Sequence, residues 1–149
     1  MTMTGLEAFD TSVQKSDAWL KALMEKMGWD SRQRAYVALR AVLHSLRDNL
    51  TVDEAADLSA QLPLVIRGIY YESWKPSSAP VKDRHPGEFL ERVRGFFGPE
   101  DIDAEAVARG VFELLQERIT AGEIDNVRAM VPAEIRKIWD GVKEPSSAG

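Results

Sequence analysis

The stretch that decides the fold runs from Arg34 to Trp74 and reads RAYVALRAVLHSLRDNLTVDEAADLSAQLPLVIRGIYYESW. In its first half, large apolar residues recur at alternating spacings of three and four, at Tyr36, Leu39, Leu43, Leu46 and Leu50. Because an α-helix has about 3.6 residues per turn, this spacing places the apolar side chains on one face. The pattern predicts a helix from about Arg32 to Asn49 that buries this face in a core.

The second half of the same stretch contains the start signals of two more helices. Thr51 and Glu54 have the spacing of a capping box, in which each side chain bonds a free backbone N–H of the first turn. We therefore predict a helix from about Val52 to Gln61. Pro63 is expected to be the first residue of the next helix, where its missing N–H costs nothing, and that helix should end near Trp74.

Apolar periodicity on both sides of this stretch predicts further helices. A first helix from about Thr11 to Met27 should point one face inward, formed by Phe9, Val13, Ser16, Leu20, Leu23 and Met27. Gly28 then follows as a left-handed C-cap. Later in the chain, the pattern predicts helices from about Phe89 to Gly98, from Ala104 to Arg118, after Thr120 and from Pro132 onward.

The second half of the chain repeats the first. When the sequence is shifted by 69 positions, residues 36–70 overlie their counterparts without a gap, so that Thr51 meets Thr120 and Pro63 meets Pro132. Residues 75–87 contain three of the seven prolines and should form an irregular linker. We therefore predict an all-α fold, a helical bundle built from two tandem, pseudo-equivalent four-helix units. The units are approximately residues 9–74 and 86–142, within a single compact domain over residues 1–149.

The composition narrows the class of protein. The 149 residues include no cysteine, which excludes disulfide bonds, thiolate metal sites and a cysteine nucleophile. The formal net charge of −5 argues against nonspecific binding to nucleic acid, and no apolar run approaches the roughly 18 residues of a membrane span. The first residues lack the basic and apolar regions of a signal peptide, so we expect a cytoplasmic protein.

The repeat separates residues that both copies share from residues that one copy alone carries. Arg40 and Arg67 have arginine counterparts at positions 109 and 136, so we expect them to pair with carboxylates or helix-end carbonyls. Residues of the first copy with unlike counterparts are the better functional candidates, namely His44, Arg47, Gln61, Gly68, Tyr71 and Trp74. Gly68 in a helix interior indicates a close approach to the backbone, either by a packed helix or by a ligand.

Two groups of side chains in the first copy suggest binding sites. Arg40, His44 and Arg47 share one flank of the second helix and could hold an anion or a carboxylate-bearing partner. The alternative is a solvated helix face with Arg47 at the rim of the apolar stripe. Tyr71 and Trp74 are of the residue types that anchor protein interfaces; alternatively, Trp74 covers the core and Tyr71 packs on the linker.

The sequence contains no recognisable catalytic or cofactor motif. It has no helical HExxH pair, no glycine-rich phosphate loop and no nucleophile elbow, and its two histidines, His44 and His85, lie far apart in the sequence. We therefore expect neither a metal site nor a cofactor, and we find no positive evidence for an enzyme.

The run ALRAVLHSLRDNLTVDEAADLSAQLPLVIRGIYYESWKP strongly resembles the bacterial domain-of-unknown-function 2267 family. Trp19-Leu20 before the run and Phe89-Leu90 after it are also similar to that family. The resemblance implies an all-α fold and a bacterial origin. It carries no established activity, cofactor or catalytic residue.

Two hypotheses follow for the function. The leading one is a non-enzymatic protein-interaction or regulatory module of the bacterial cytoplasm, which presents the arginine, histidine and aromatic side chains of the first copy to an unidentified protein partner. The alternative is a small-molecule binding domain for an anionic ligand, with a site near Arg40, His44, Arg47 and Tyr71. A ligand site requires a concave pocket with convergent polar groups, whereas a partner site is flatter and more apolar.

Overall fold

All regular structure is helical over residues 3–83 and 85–142, which the computed structural model describes. Eight α-helices follow one another in these ranges, together with a short 3-10 turn at Pro76–Ser78. The helices are α1 (Glu7–Met27), α2 (Arg32–Asp48), α3 (Val52–Ser59), α4 (Leu64–Tyr71), α5 (Glu88–Gly95), α6 (Ala104–Arg118), α7 (Ala121–Met130) and α8 (Ala133–Asp140). The predicted all-α fold is therefore confirmed.

Four of these helices begin with a side-chain cap. The caps accept a hydrogen bond from the backbone N–H three residues further on, and they are Ser31, Thr51, Asp103 and Thr120. At Thr51 only half of the predicted capping box forms. Glu54 Oε2 is buried without a hydrogen-bond partner among the described residues, so Glu54 does not return the bond.

Pro63 and Pro132 lie one position earlier in their helices than predicted. Each occupies the N-cap position with an extended backbone, at ψ 152° and 156°, and α4 and α8 begin at the next residue. The Pro63 carbonyl accepts the first helical hydrogen bond of α4 from the backbone N–H of Arg67, at 2.8 Å. The prediction of proline as the first helical residue is wrong by one position, because an N-cap contributes its carbonyl to the helix while its own backbone stays extended.

Helix α1 begins at Glu7 rather than near Thr11, and this changes the exposure of its first turns. Thr4 donates its backbone N–H and its hydroxyl to Asp10 Oδ1, at 2.9 and 2.8 Å, and Asp10 is buried. Because neighbouring helical residues point about 100° apart, Phe9 is turned outward. Phe9 is 56% exposed, so its predicted inward position is wrong.

Helices α2 and α6 form the centre of the bundle. Helix α2 packs against α1, α4, α5 and α6, and α6 packs against α1, α2, α5, α7 and α8. Contacts between the two halves are reciprocal, since α1 meets α6 as α5 meets α2, and α3 meets α7. One hydrophobic core therefore draws on both halves, and its largest fully buried side chains include Tyr70, Phe89, Phe112 and Trp139.

Two arginines at corresponding positions of the repeat make corresponding hydrogen bonds. Arg67 donates to the carbonyls of Ser59 and Leu62, at 2.9 and 3.0 Å, where α3 ends. Arg136 donates to the two carbonyls that lie 69 positions further on, both at 3.0 Å. The predicted structural role is confirmed for this pair, and the equivalence of two whole four-helix units stays a prediction.

The described part of the linker between the halves is irregular apart from its 3-10 turn. It is fastened to α2 by the backbone N–H of Val81, which donates to the Asp48 carbonyl at 2.6 Å. Gly87 precedes α5 with a φ of 87°, a left-handed conformation that favours glycine. The linker therefore ends at Gly87, whose left-handed backbone directly precedes the first residue of α5.

Candidate binding surfaces

Buried polar side chains of α2 surround the C-terminal end of α4. His44 Nε2 lies 2.7 Å from the carbonyl oxygen of Ile69. Arg47 donates from one terminal nitrogen to two further carbonyls of the same end, those of Tyr70 and Glu72, at 2.6 and 2.8 Å. The last carbonyls of a helix have no partner within it, so His44 and Arg47 cap α4.

Both capping side chains belong to the protein interior. His44 is 5% exposed and Arg47 is 3% exposed, so the alternative of a solvated helix face is wrong. Burial lowers the pKa of His44; the hydrogen bond with Ile69 opposes this shift, and the charges of Arg47 and Arg40 add to it. The neutral imidazole then donates its Nε2–H to the Ile69 carbonyl.

Arg40 is the more accessible cation of this group. Its guanidinium lies 5.6 Å from the centroid of the Phe96 ring, and its Nε lies 3.9 Å from Glu72 Oε1. The Phe96 ring also meets His44 edge-on at 5.8 Å. The structure therefore brings Arg40, His44 and Arg47 together, with the polar groups of His44 and Arg47 turned to the end of α4. An anionic ligand at this position stays a prediction.

The rings of Tyr71 and Trp74 pack on each other, with centroids 5.4 Å apart. The Tyr71 hydroxyl donates to Ser59 Oγ at 2.6 Å, and both rings are half-buried against the core. Trp74 Nε1 is buried without a hydrogen-bond partner in the part of the chain that the structure describes. The aromatic pair is held against α3, and its role as an interface anchor stays a prediction.

Gly68 has open space around it. A Cβ at this position would meet no atom within 4 Å, and the residue is exposed in the middle of α4. The predicted close packing of another helix against Gly68 is therefore wrong.

Gln61 lies at a cleft that the sequence patterns do not reveal. The cleft has a volume of about 360 Å³ and is lined by Lys15, Ala18, Trp19, Gln61, Leu62, Pro63 and Arg118. These residues come from α1, from the turn between α3 and α4, and from the end of α6. Gln61 Oε1 accepts a hydrogen bond from the backbone N–H of Thr120 at 3.4 Å, which ties this turn to the start of α7. We call this feature the Gln61 cleft.

A second and more apolar depression, which we call the α1–α4 groove, lies between α1, α4 and the first turns of α2. It has a volume of about 260 Å³ and is lined by Val13, Ser16, Asp17, Leu20, Tyr36, Val65, Ile66 and Ile69. Ser16 is buried, and its hydroxyl has no hydrogen-bond partner within the described ranges. The groove is therefore a largely apolar surface, and among its lining residues only Ser16 has a buried side-chain polar atom without a partner in the described ranges.

Large apolar side chains are exposed beside the α1–α4 groove. Val65 lines the groove and is 40% exposed, and its neighbour Leu64 is exposed as well. Phe9, also exposed, lies one turn before Val13 on α1. Leu64 and Val65 are exposed while the next residue, Ile66, is buried, so α4 begins with more apolar side chains than it buries. Contiguous exposed apolar area marks interaction sites.

Within residues 3–83 and 85–142, no group of three or more His, Cys, Asp or Glu side chains could hold a metal ion. No helix of these ranges has the length and apolar character needed to cross a membrane.

Residues 16–138 match the family of uncharacterised conserved proteins designated DUF2267. The chain belongs to this family. The matched range of this DUF2267 protein begins within α1 and ends within α8, so it contains every candidate residue predicted from the sequence. The family description names no activity, and no curated protein matches the chain.

Proposed function

We propose that this DUF2267 protein is a non-enzymatic protein-interaction module whose α1–α4 groove holds an acidic amphipathic helix of a partner. The observation that carries the proposal is the exposure of Val65, 40%, at a groove whose other lining residues are mostly apolar. An amphipathic helix lays its apolar face into grooves of this kind. The cysteine-free composition suits the reducing bacterial cytoplasm, where we expect the partner.

The size of the groove favours a partner's side chains over a free small molecule. Its volume of about 260 Å³ is below the range of about 300–1,000 Å³ that encloses drug-sized ligands. It suits one or two apolar side chains, and the remaining apolar face of the partner helix would cover Leu64 and Val65.

Ser16 favours a partner side chain that carries a polar group as well as apolar surface. Its hydroxyl is buried in the groove lining and has no partner among the described residues. A tyrosine or tryptophan side chain of the partner combines an apolar body with one polar edge. It would give the Ser16 hydroxyl a hydrogen bond when this buried group turns toward the groove.

Charges at the rim of the groove favour carboxylates on the partner. Asp17 lines the groove and is paired with Arg32 at 2.8 Å and with Lys21 at 3.5 Å. Two cations meet one carboxylate, so these three side chains together carry a net positive charge beside the groove. Acidic residues on the partner helix would pair with Arg32 and Lys21, and such rim pairs set orientation and association rate more than affinity.

A library of displayed helical peptides, selected on the wild-type protein, tests the proposal. We expect the enriched peptides to carry apolar residues, including an aromatic one, at helical spacing with Asp or Glu between them. Val65→Asp should weaken binding of an enriched peptide at least about ten-fold in fluorescence anisotropy, because a carboxylate would replace apolar contact and repel acidic residues.

Val52→Asp is the matched control. Val52 is 41% exposed and lies in the first turn of α3, as Val65 lies in the first turn of α4, so the helix dipole favours an aspartate at both places. The first turn of α3 already holds Asp53 and Glu54, so folding of this variant is checked by circular dichroism. This variant should bind within about two-fold of wild type.

Equal loss in both variants, or enrichment of basic or unpatterned peptides, contradicts the proposal. A third outcome would place the binding surface at the aromatic pair instead. In that case, a folded Tyr71→Ala/Trp74→Ala variant loses peptide binding while Val65→Asp binds normally.

A further inference from the structure

The Gln61 cleft is bordered by two cations that have no partner among the described residues. Lys15 of α1 and Arg118 at the end of α6 both line it. In the part of the chain that the structure describes, neither side chain makes an ion pair or a hydrogen bond. By contrast, Lys26 on the same helix as Lys15 pairs with carboxylates of α6, Glu113 and Glu117. Neither cation is neutralised by a direct ion pair in the described ranges, and none of the lining residues is acidic.

The other free polar groups of the lining side chains are hydrogen-bond donors. The Gln61 side-chain oxygen is used by the backbone N–H of Thr120, which leaves its amide nitrogen to donate. Trp19 is 5% exposed, and its indole N–H has no partner among the described residues. Ammonium, guanidinium, amide and indole N–H groups around one cavity match the acceptor oxygens of an anion.

The remaining lining residues are apolar. Ala18, Leu62 and Pro63 supply hydrocarbon surface between the donors. The volume of about 360 Å³ falls in the range of small-molecule sites, which combine apolar walls with a few polar groups. An anion with a short apolar body fits this lining better than a bare inorganic ion.

Corresponding positions of the predicted repeat carry other residue types, and only two of the four have a side-chain N–H group. Four replacements occur in the repeat register: His85 for Lys15, Phe89 for Trp19, Met130 for Gln61 and Asn49 for Arg118. A position that serves only the helical fold would tolerate the same residue types in both halves. The donor set of the Gln61 cleft, which comes from both halves, is therefore not repeated at the corresponding place of the repeat, which favours a ligand over a structural requirement.

We propose that the Gln61 cleft binds a small organic anion, a phosphate monoester or a carboxylate with a short apolar body. Lys15 and Arg118 neutralise its charge, while Gln61 and the Trp19 indole donate hydrogen bonds to its oxygens. The site goes beyond the proposed partner groove and does not depend on it. The cleft and the α1–α4 groove share no lining residue, and Lys15 and Trp19 lie about 100° or more around α1 from Val13 and Leu20.

Indole N–H signals in NMR spectra of the full chain test this inference. Phenyl phosphate and benzoate represent the two anion classes with an apolar body, inorganic phosphate represents the head group alone, and phenol represents the body alone. At least one of the two organic anions should move the Trp19 signal, assigned with Trp19→Phe, in a saturable way. Inorganic phosphate should bind more weakly, phenol should leave the signal in place, and the Trp139 signal should stay unchanged throughout.

Matched double variants separate a local site from general charge. Lys15→Gln/Arg118→Gln should weaken the organic anion at least about ten-fold, because it removes both charge-assisted contacts. Arg94→Gln/Lys137→Gln removes two other exposed cations that have no described partner and should bind within about two-fold of wild type. Gln61→Met, which introduces the residue of the other half, should weaken binding about five-fold.

Several outcomes would overturn the inference. They are a Trp19 signal that neither organic anion moves, equal losses in the two double variants, and phenol moving the signal as far as phenyl phosphate does. Because Val65 does not line the cleft, Val65→Asp should leave anion binding unchanged. Failure of the anion site and failure of the partner groove are therefore separate results.

Discussion

Two buried polar side chains, His44 and Arg47, complete the end of α4. The guanidinium of Arg47 has five N–H groups, and four of them are engaged with the Tyr70 and Glu72 carbonyls and with Asp48. Helix α4 ends without a glycine cap, so its last carbonyls would otherwise be unpaired in a partly buried place. The polarity of these residues is explained by the fold, and few of their donors remain for a ligand.

Protonation of His44 should destabilise the fold. Burial lowers the pKa of His44 below its ordinary value of 6.5, so the unfolded chain binds more protons than the folded one in this range. The stability contributed by neutral His44 is fully present above the unfolded pKa and is lost as the pH falls through the folded pKa. We expect the free energy of unfolding, from urea titrations, to fall between about pH 7.5 and 5.5, by at most about 1.4 kcal/mol per pH unit.

His44→Gln tests this assignment, because glutamine keeps a donor and does not titrate. The fall in unfolding free energy with decreasing pH should become shallower in this variant. His85 is fully exposed, and its hydrogen bond with the Pro86 carbonyl and the charge of Glu91 raise its pKa, so it acts with the opposite sign. His85→Gln should therefore keep the decline. A wild-type slope that survives in His44→Gln and disappears in His85→Gln would refute the role of His44.

At the scale of helices, local chemistry accounts for most of what the sequence predicts. Apolar spacing locates α2 and α6, and the hydroxyl caps at Thr51 and Thr120 locate α3 and α7, because these signals act over one or two turns. The exposure of Phe9 depends instead on a hydrogen bond between Thr4 and Asp10, which the apolar periodicity does not encode. The first residue of α1 and the exposure of Phe9 therefore follow from the structure and not from the apolar spacing.

Gly68 should weaken α4. It lies in the helix interior, it is exposed, and a Cβ there would meet nothing within 4 Å. Gly68→Ala should raise the free energy of unfolding by about 0.5–1 kcal/mol, measured by urea titration, because alanine restricts the unfolded backbone and favours the helix.

Gly28→Ala is the opposite control for Gly68→Ala. Gly28 ends α1 with a φ of 68°, so alanine there should destabilise the protein by about 1–2 kcal/mol although space is available. Destabilisation by Gly68→Ala would show that the position has a packing or ligand role after all.

At the scale of the whole molecule, contacts between distant segments decide what the sequence can reveal. Gln61 is a candidate from the sequence because the repeat isolates it, whereas Lys15 and Arg118 join it only through packing of α1 against α6. Likewise, His44 looks like a ligand-binding residue until α4 is placed against α2. The sequence shows which polar and apolar groups each residue carries. Tertiary contacts decide which other groups of the protein those residues bind.

Those contacts also predict how the molecule unfolds. Helix α1 packs on α6 and α5 packs on α2, so each half buries its core against the other and neither should unfold alone. In a Trp19→Phe/Trp29→Phe/Trp74→Phe variant, fluorescence reports only Trp139, which stacks on Phe112 at 4.2 Å in the second half. Its urea transition should coincide with that of far-ultraviolet circular dichroism, which reports all helices.

A core substitution in the first half makes this prediction decisive. Leu39 is fully buried in α2, and Leu39→Ala should cost about 2–5 kcal/mol of unfolding free energy through lost burial and a cavity. If the halves form one cooperative domain, the Trp139 and circular-dichroism midpoints fall together by the same amount. If Trp139 keeps its midpoint while circular dichroism becomes biphasic, the two halves are independent units, and the shared core is too weak to couple them.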